Sequence, residues 1–328
     1  MKNTKYGLTL SNRSLVMGMS GIDTMFKQAK DADRCEVWDS IWLGDSILAK
    51  PRLDSLVALS AIASITERVK LGVGCMASTP LRDALLLAYQ WSSLDYLSNG
   101  RTIFVACQGQ KETGGGLFEE EFAAFGIDPS TKSKRMEEAI EIMRLTSLQE
   151  STSFHGNFNS FDNVTILPRP KQRPLPIWVT ANPNDAYPRL KESALKRVAR
   201  LGDGWMTTAN TVESLKSNLK DVERYAEEEG RPLPKNFETC LYYNIHVNEN
   251  RRNGLKSTKQ YLKEYYGVEY DDDFLERWVA IGSPRRCIDE IHKFASSGAT
   301  TITLRLIGHD EENQFDRVTT EVLPELTA

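Results

Sequence analysis

The β-rich run at residues 69–73 ends in a group of small side chains. Gly74, Cys75, Ala77 and Ser78 lie at this tip, and none of them would obstruct a flat ligand. In α/β barrels the active site lies at the C-terminal ends of such strands. We therefore expect the tip to line a binding site for a planar molecule.

A lone arginine occurs in the apolar run at residues 300–306 near the C-terminus. The guanidinium of Arg305 could grip a carboxylate, a sulfonate or a phosphate through two parallel hydrogen bonds. A salt bridge to a neighbouring loop is the plainer interpretation. Both interpretations stay open.

The cysteines and histidines do not have the spacing of a metal site. The five cysteines are scattered without a C-x-x-C pair, and the four histidines lie far apart. We expect Cys75 and Cys107 to be packing residues that line the pocket, and His246 to face either the site or the surface. The acidic run at residues 119–121 is expected to be a solvated helix face.

Composition narrows the class of protein. The chain has 328 residues, 40% of them hydrophobic and 26% charged, with a net charge of −4. This excess of acid argues against a nucleic-acid surface, which needs a concentrated basic face. No apolar run reaches the roughly 18 residues of a membrane span, and residues 1–5 lack the apolar core of a signal peptide. We expect a cytoplasmic protein with one domain over residues 1–328.

Strand and helix patterns alternate along almost the whole chain. Eight strands with helices between them predict a parallel sheet closed into a (β/α)8 TIM barrel. An open doubly wound sheet is the alternative, but no G-x-G-x-x-G follows the first strand. We expect insertions after the fourth strand (108–134) and the seventh (250–282), together forming a lid. A small hairpin (154–167) is expected before the fifth strand.

Several ordered motifs in residues 5–305 resemble the bacterial luciferase-like flavin-dependent oxidoreductases. They are WDSIWLGD (38–45), TERVKLGVG (66–74), LLLAYQW (85–91), LDYLSNGR (94–101), ARLGDGW (199–205), GSPRRCIDEI (282–291) and GATTITLR (298–305). The resemblance implies a (β/α)8 barrel that binds reduced FMN or a deazaflavin. Many such enzymes are monooxygenases that use O2 and take reduced flavin from a separate reductase.

The resemblance also implies roles for individual residues around the flavin ring. The third strand of these enzymes closes on the ring with a non-prolyl cis peptide, and the matching bond is Gly74–Cys75. Asp45 matches an acid that contacts the flavin or the substrate, although an Asx turn explains it as well. Trp205, at the turn into the sixth strand, is a barrel residue and a weaker candidate for contact with the cofactor.

The cofactor phosphate requires N–H donors, which a helix N-terminus supplies. The end of the fifth strand offers Thr180, Ala181, Asn182 and Asn184 just before such a helix. Many similar enzymes have glycines here, whereas this chain has a longer segment with a proline at 183. An asparagine-rich turn with a helix cap is the competing interpretation.

Two positions depart from the similar hydride-transfer enzymes. These often carry a histidine directly after the aspartate and a glutamate after the fourth strand, where this chain has Ser46 and Gln110. Neither replacement titrates near neutrality, which weakens acid–base chemistry. Gln108 and Gln110 would hydrogen-bond the flavin edge without charging it.

These features together favour an FMN-dependent monooxygenase that oxidises a small organic substrate. Asp45, Gln108, Gln110 and Arg305 are its candidate catalytic residues. A deazaflavin-dependent reductase or dehydrogenase is the alternative, and a non-catalytic flavin-binding barrel is a third. The resemblance implies a homodimer or homotetramer through the second and third helices, where Leu56, Leu59, Ile62 and Leu86 offer either apolar surface or core.

Overall fold

Strands and helices alternate along the chain as the sequence predicts. The structure is a computed structural model that describes residues 4–109, 115–208 and 211–327. The strands are β1 (Lys5–Thr9), β2 (Ser40–Leu43), β3 (Lys70–Val73), β4 (Thr102–Ala106), β5 (Thr152–His155), β6 (Ser160–Val164), β7 (Ile177–Thr180), β8 (Gly204–Thr208), β9 (Glu238–Val247), β10 (Val279–Gly282) and β11 (Thr301–Leu306). The helices are α1 (Ile22–Arg34), α2 (Ser55–Ala63), α3 (Ala84–Leu97), α4 (Phe118–Ala124), α5 (Lys132–Leu148), α6 (Pro188–Leu201), α7 (Val212–Glu228), α8 (Arg251–Tyr266), α9 (Asp272–Trp278), α10 (Pro284–Ala295), α11 (Glu311–Arg317) and α12 (Leu323–Thr327).

Eight parallel strands close into a barrel. The sheet order is β9-β11-β1-β2-β3-β4-β7-β8, and pairing of β8 with β9 completes the ring. Helices pack outside the strands over one apolar core. The predicted (β/α)8 barrel is confirmed, because each apolar strand is followed by a helix that covers it.

Side-chain caps set where several of the helices begin. Asp54 accepts hydrogen bonds from the N–H groups of Leu56 (2.9 Å) and Val57 (3.0 Å) at the start of α2. Asp83 accepts one from the N–H of Leu86 at the start of α3. These aspartates satisfy donors that the first turn leaves without a helical partner.

Two indole rings fill the barrel interior. Trp42 and Trp178 are buried with ring centroids 5.4 Å apart. Only glycine leaves room for them: a Cβ on Gly72 would lie 2.2 Å from Cζ3 of Trp42, and one on Gly204 would lie 2.5 Å from Cδ1 of Trp178. The interior is therefore a packed floor beneath the C-terminal ends of the strands, which we call the mouth.

The segment after β9 has more regular structure than the sequence indicates. It folds into α8, α9 and the unpredicted strand β10, which pairs in parallel with the end of β9. Tyr261, Tyr265 and Trp278 belong to a separate apolar cluster in this segment. The short run VAIG carries no alternation that would mark it as a strand.

The hairpin before the fifth barrel strand is confirmed. β5 and β6 pair antiparallel, outside the barrel sheet. The carboxylate of Glu138 on α5 accepts hydrogen bonds from the N–H groups of Asn157 (2.6 Å) and Asn159 (3.1 Å). A buried carboxylate thus fixes the hairpin turn to the barrel.

The predicted apolar surface on the second and third helices is largely core. Leu56, Leu59 and Ile62 are buried within the chain, whereas Leu86 is 53% exposed. Among the helices in the described part of the chain, none has both the length and the apolar character needed to cross a membrane.

Candidate functional site

A cavity of about 600 Å³ opens at the mouth of the barrel. The ends of different strands contribute to its wall, including Thr9, Asp45, Gly74, Cys107, Thr180 and Arg305. Residues far apart in sequence meet here because parallel strands present their C-terminal ends at the same edge. The position agrees with the one predicted from the third-strand tip.

The tip of β3 forms one wall of the cavity, and its side chains are small. The Gly74–Cys75 peptide bond is cis, as the family resemblance implies. Gly74, Cys75 and Ala77 lie on the wall, and a Cβ on Gly74 would lie 3.3 Å from Cε of Met206. This surface of small residues, backed by Met206, suits one face of a planar ring system.

Ser78 lies behind this wall instead of on it. Its side chain is fully buried, and its N–H donates to Oδ2 of Asp45 at 2.8 Å. Oδ1 of Asp45 accepts from the hydroxyl of Ser55 at 2.7 Å, and Arg82 lies 3.8 Å away. Asp45 therefore ties the loop after β2 to the β3 tip, so that it positions the wall as well as lining it.

Two thiols lie together beside the tip. Cys75 and Cys107 both line the cavity, on neighbouring strand ends. The hydrogen bond to Cys107, together with burial, raises the pKa of the Cys75 thiol, and the same hydrogen bond lowers the pKa of Cys107. No cysteine, histidine or acidic cluster suited to a metal ion occurs among residues 4–109, 115–208 and 211–327.

The end of β7 and the start of α6 form another side of the cavity. Thr180, Ala181, Asn182 and Asn184 all line it. Tyr187, at the N-cap of α6, makes no side-chain capping hydrogen bond. The first-turn N–H groups of α6 are thus not capped from that residue, which suits an anionic group such as a phosphate.

Cations surround this helix start. Lys191 pairs with Asp185 at 2.7 Å, and Arg197 pairs with Glu137 at 2.8 Å. Both cations, together with Lys132, line the cavity. Arg197 thus adds a positive charge to the cavity wall near the start of α6.

Of three further predicted residues, Gln108 lines the cavity, whereas Trp205 and Gln110 are not among its described lining residues. Trp205 is fully buried, and its Nε1–H donates to the carbonyl of Ala181 at 2.9 Å, so it supports the cavity from behind. Gln110 lies outside the residues that the structure describes. Gln108 does line the cavity, and its Oε1 accepts a short hydrogen bond from the hydroxyl of Ser133.

Arg305 lies on the opposite side of the mouth, among aromatic rings. Its Nη1 donates to the hydroxyl of Tyr266 at 2.6 Å, and Cζ lies 4.7 Å from the ring centroid of Tyr265. It makes no ion pair with a carboxylate in the described part of the chain, so the salt-bridge interpretation is not supported there.

Sequence analysis missed several residues on this side. Lys50 and Arg52 line the cavity, and Arg13 is buried beside Tyr265. Burial and the nearby guanidiniums of Arg13, Arg52 and Arg305 lower the pKa of Lys50 to about 7. The three cations follow β1 and β2, and the strand-end rule alone could have identified them. The rings of Tyr265, Tyr266 and Trp278 come from α8 and α9, whose placement only the tertiary structure shows.

Two other expectations change. His246 is buried and faces a second cavity instead of the mouth, with Nδ1 2.8 Å from Oγ1 of Thr258. The acidic run at 119–121 is only partly solvated: Glu121 is 1% exposed and accepts from the N–H groups of residues 47–49. Because Glu121 follows two other glutamates in the sequence, its burial could not be recognised from the sequence pattern.

Comparisons with known proteins agree with this geometry. The "Luciferase-like monooxygenase" family model matches residues 5–301. A relative from Amycolatopsis mediterranei, named F420-dependent glucose-6-phosphate dehydrogenase, is 22% identical, covering 88% of this chain and 90% of its own. Two solved structures share the fold. Monooxygenase RslO1 from Streptomyces bottropensis has a TM-score of 0.78 at 21% identity, covering 98% of this chain and 99% of its own. An F420-dependent secondary alcohol dehydrogenase has a TM-score of 0.82 at 16% identity, with full coverage of both chains.

The family match spans nearly all of the barrel, and the cavity lies where its strand ends meet. The chain therefore belongs to the luciferase-like monooxygenase family.

Proposed function

We propose that this protein is an oxidoreductase that uses a deazaflavin of the F420 type to exchange a hydride with a small organic substrate. The charge of the cavity is the observation that carries the proposal. Among its described lining residues, Asp45 is the one carboxylate, whereas six are basic: Lys50, Arg52, Lys132, Lys191, Arg197 and Arg305. Lys191 and Arg197 pair with Asp185 and Glu137, and the pKa of Lys50 is about 7, so the excess of positive charge rests on Arg52, Lys132 and Arg305. The tail of F420 carries a phosphodiester and several carboxylates, whereas FMN ends in one phosphate. A cationic cavity favours the more anionic cofactor.

The residues at the mouth suit the parts of such a cofactor. Gly74, Cys75 and Ala77 would pack one face of the ring, and Gln108 would hydrogen-bond its edge. The β7 end and the start of α6 would hold the phosphate through N–H groups, with Arg197 nearby. When bound, the deazaflavin supplies the hydride donor or acceptor.

Proton transfer requires a group that titrates near the working pH. Ser46 is no such group, and its hydroxyl donates to the carbonyl of Lys50 at 3.0 Å. Lys50 lines the cavity, its Nζ lies 4.7 Å from the ring centroid of Tyr266, and its pKa is about 7. We assign Nζ of Lys50 as the atom that accepts or returns the substrate proton. Lys50 would thus take the acid–base role for which Ser46 and Gln110 are unsuited.

Relatives support the choice of cofactor. The Amycolatopsis relative is named for F420, as is a second relative from Kineococcus radiotolerans that is 22% identical over 87% of this chain. The organic substrates in those names are not carried over to this chain.

Cofactor binding tests the proposal directly. F420, FMN and riboflavin are titrated into the purified protein under anaerobic conditions, with fluorescence as the readout. We expect F420 to bind at least about 10-fold more tightly than FMN, since it offers more anionic groups to the cations. Lys50→Gln should abolish the limb near pH 7 in the rate of hydride transfer while the protein still binds F420 more tightly than FMN, because the other cations of the cavity remain. Tighter binding of FMN than of F420 would refute the proposal.

An FMN-dependent monooxygenase with a separate reductase is the second candidate. The uncharged side chain of Gln108 on the cavity wall favours it, as does the serine at position 46, because oxygenation makes fewer acid–base demands on the protein. The protein loaded with reduced FMN is mixed with O2 and candidate substrates, and the products are analysed by mass spectrometry with ¹⁸O2. Incorporation of ¹⁸O would support this candidate over the first.

A further inference from the structure

Two buried arginines near the side of the mouth formed by β11, β1 and β2 have guanidinium nitrogens without a partner among the described residues. Arg305 lines the cavity, whereas Arg13 packs against Tyr265 and is not a lining residue. Nε and Nη2 of Arg305 and Nη1 of Arg13 are buried and have no hydrogen-bond partner among the residues that the structure describes. Arg305 is 2% exposed and Arg13 is 8% exposed. Unsatisfied buried donors on charged groups are costly, and native structures keep few of them.

The two guanidiniums are surrounded by further positive charge. The positive charge of Arg305 contributes to lowering the pKa of Arg13. Arg13 and Arg305 both contribute to lowering the pKa of Lys50. Arg52 also lies on the cavity wall, with its Nε donating to the hydroxyl of Ser46 at 3.0 Å. This group of like charges would be stabilised by an anion between them.

The free donors of Arg305 have a particular geometry. Tyr266 already occupies Nη1, which leaves Nε and Nη2, the side-on pair that matches the two oxygens of a carboxylate. Aromatic rings lie around the guanidinium: its Cζ is 4.7 Å from the centroid of Tyr265, 5.1 Å from that of Tyr266 and 5.7 Å from that of Trp278. These rings, with Tyr242, also line the cavity. They suit a flat, apolar body attached to the acid.

We propose that Arg305, with the positive charge of Arg13 nearby, forms a carboxylate-binding subsite for a planar, unsaturated or aromatic acid, which is the substrate class of this protein. That the bound acid is a substrate rests on the proposed function, whereas the binding of the acid does not. The cofactor phosphate is a second source of anion, but its place at β7 and α6 is separated from β11, β1 and β2 by β3 and β4 on one side and by β8 and β9 on the other.

Benzoate and benzamide, which share a shape but differ in charge, are the probes. Each is titrated into the cofactor-free protein at pH 7.5 and followed by calorimetry and by tryptophan fluorescence. We expect saturable binding of benzoate, at least 10-fold tighter than that of benzamide. Trp278→Phe should remove most of the fluorescence change, because this ring lies beside Arg305. Equal affinity for the two probes, or binding of neither, would overturn the subsite.

Arg305→Met separates a ligand role from a structural one. If the guanidinium is kept for a ligand, its replacement relieves a buried unpaired charge, so the variant should unfold at the same temperature as the parent or higher while losing benzoate at least 10-fold. Arg305→Lys keeps the charge without the fork and should also lose the preference for benzoate. Arg200→Gln is the matched control: Arg200 pairs with Glu137 and does not line the cavity, so the variant should bind benzoate like the parent. An Arg305→Met variant that melts lower yet binds benzoate normally would show a purely structural residue.

The same variants distinguish this subsite from the cofactor site. In Arg305→Met, F420 affinity should fall by less than benzoate affinity, because Arg305 is only one of several cations that line the cavity. Loss of F420 with unchanged benzoate binding would assign Arg305 to the cofactor and overturn the subsite. Failure of the parent protein to bind F420, with benzoate selectivity intact, would refute the proposed function and leave the subsite standing.

Discussion

Single buried acids hold the loops that shape the mouth. Asp45 joins the loop after β2 to the tip of β3, and Glu121 reaches from α4 to the same loop. Each accepts hydrogen bonds from backbone N–H groups that would otherwise lie buried without partners. The polar groups nearest the cavity therefore position its walls as well as offering contacts to a ligand.

Glu121→Ala should destabilise the fold by about 3 kcal/mol, because it strips acceptors from the buried N–H groups of Ile47 (2.6 Å), Leu48 (2.7 Å) and Ala49 (3.1 Å). Urea unfolding measures the change. Glu120→Ala alters an exposed neighbour on the same helix and should change stability by less than about 0.5 kcal/mol. Similar losses in both variants would contradict a special role for Glu121.

His246 should make stability depend on pH. Burial lowers its pKa to about 4, below its ordinary value of 6.5. The unfolded chain therefore binds the proton first as pH falls, so the contribution is complete above pH 6.5 and is lost progressively toward pH 4. The full loss is about 3 kcal/mol. Free energies of unfolding at pH 7.5 and 4.5 should differ less in His246→Gln than in the parent. His155→Gln, at an exposed site, should retain the parent's difference.

Within the barrel strands, small residues make room for large ones. Trp42 and Trp178 occupy the space that Gly72 and Gly204 leave open, and Met206 supports the tip of β3 from below. A closed barrel needs this filling, because its interior is a packed core. The packing of the two tryptophan rings beneath the cavity thus depends on glycines within the strands.

Gly72→Ala should destabilise the protein by about 2 kcal/mol or more, because its Cβ would overlap the buried ring of Trp42 at 2.2 Å. Thermal unfolding followed by circular dichroism is the measurement. Gly21→Ala places a methyl group where the nearest atom is 3.9 Å away, and should cost less than about 1 kcal/mol. A Gly72→Ala variant as stable as Gly21→Ala would mean that the barrel floor adapts freely.

For the whole molecule, the remaining apolar surface points to self-association. Val57 is 70% exposed on α2, and Leu86 and Tyr89 are 53% and 47% exposed on α3. These two helices pack against each other, so the three side chains offer one region for contact. The family resemblance implies a dimer through the same helices.

Leu86→Arg should convert a dimer into a monomer in sedimentation velocity experiments, because a charge buried at a symmetric interface occurs twice. Leu97→Arg, at a 73% exposed residue at the end of α3, serves as the comparison for added charge alone and should shift the equilibrium less. A parent protein that sediments as a monomer at micromolar concentration would refute the predicted interface.

The sequence by itself determined the barrel, since alternating strand and helix patterns leave few other ways to bury every strand. It also located one wall of the cavity, because Gly74, Cys75 and Ala77 are adjacent in the chain. Thr180, Ala181, Asn182 and Asn184 were predicted because a cofactor phosphate needs N–H donors and a helix begins just after the fifth strand. These predictions depended on local spacing, which one sequence shows directly.

Tertiary structure alone decided which charges meet. Arg13, Lys50 and Arg305 come from three segments separated by up to the length of the chain, and the rings beside them come from an insertion whose docking no local pattern specifies. Burial of Glu121 and of Ser78 likewise depends on distant partners. Closing the barrel brings β11 beside β1, and this long-range contact, which chain spacing does not encode, creates the cationic side of the mouth.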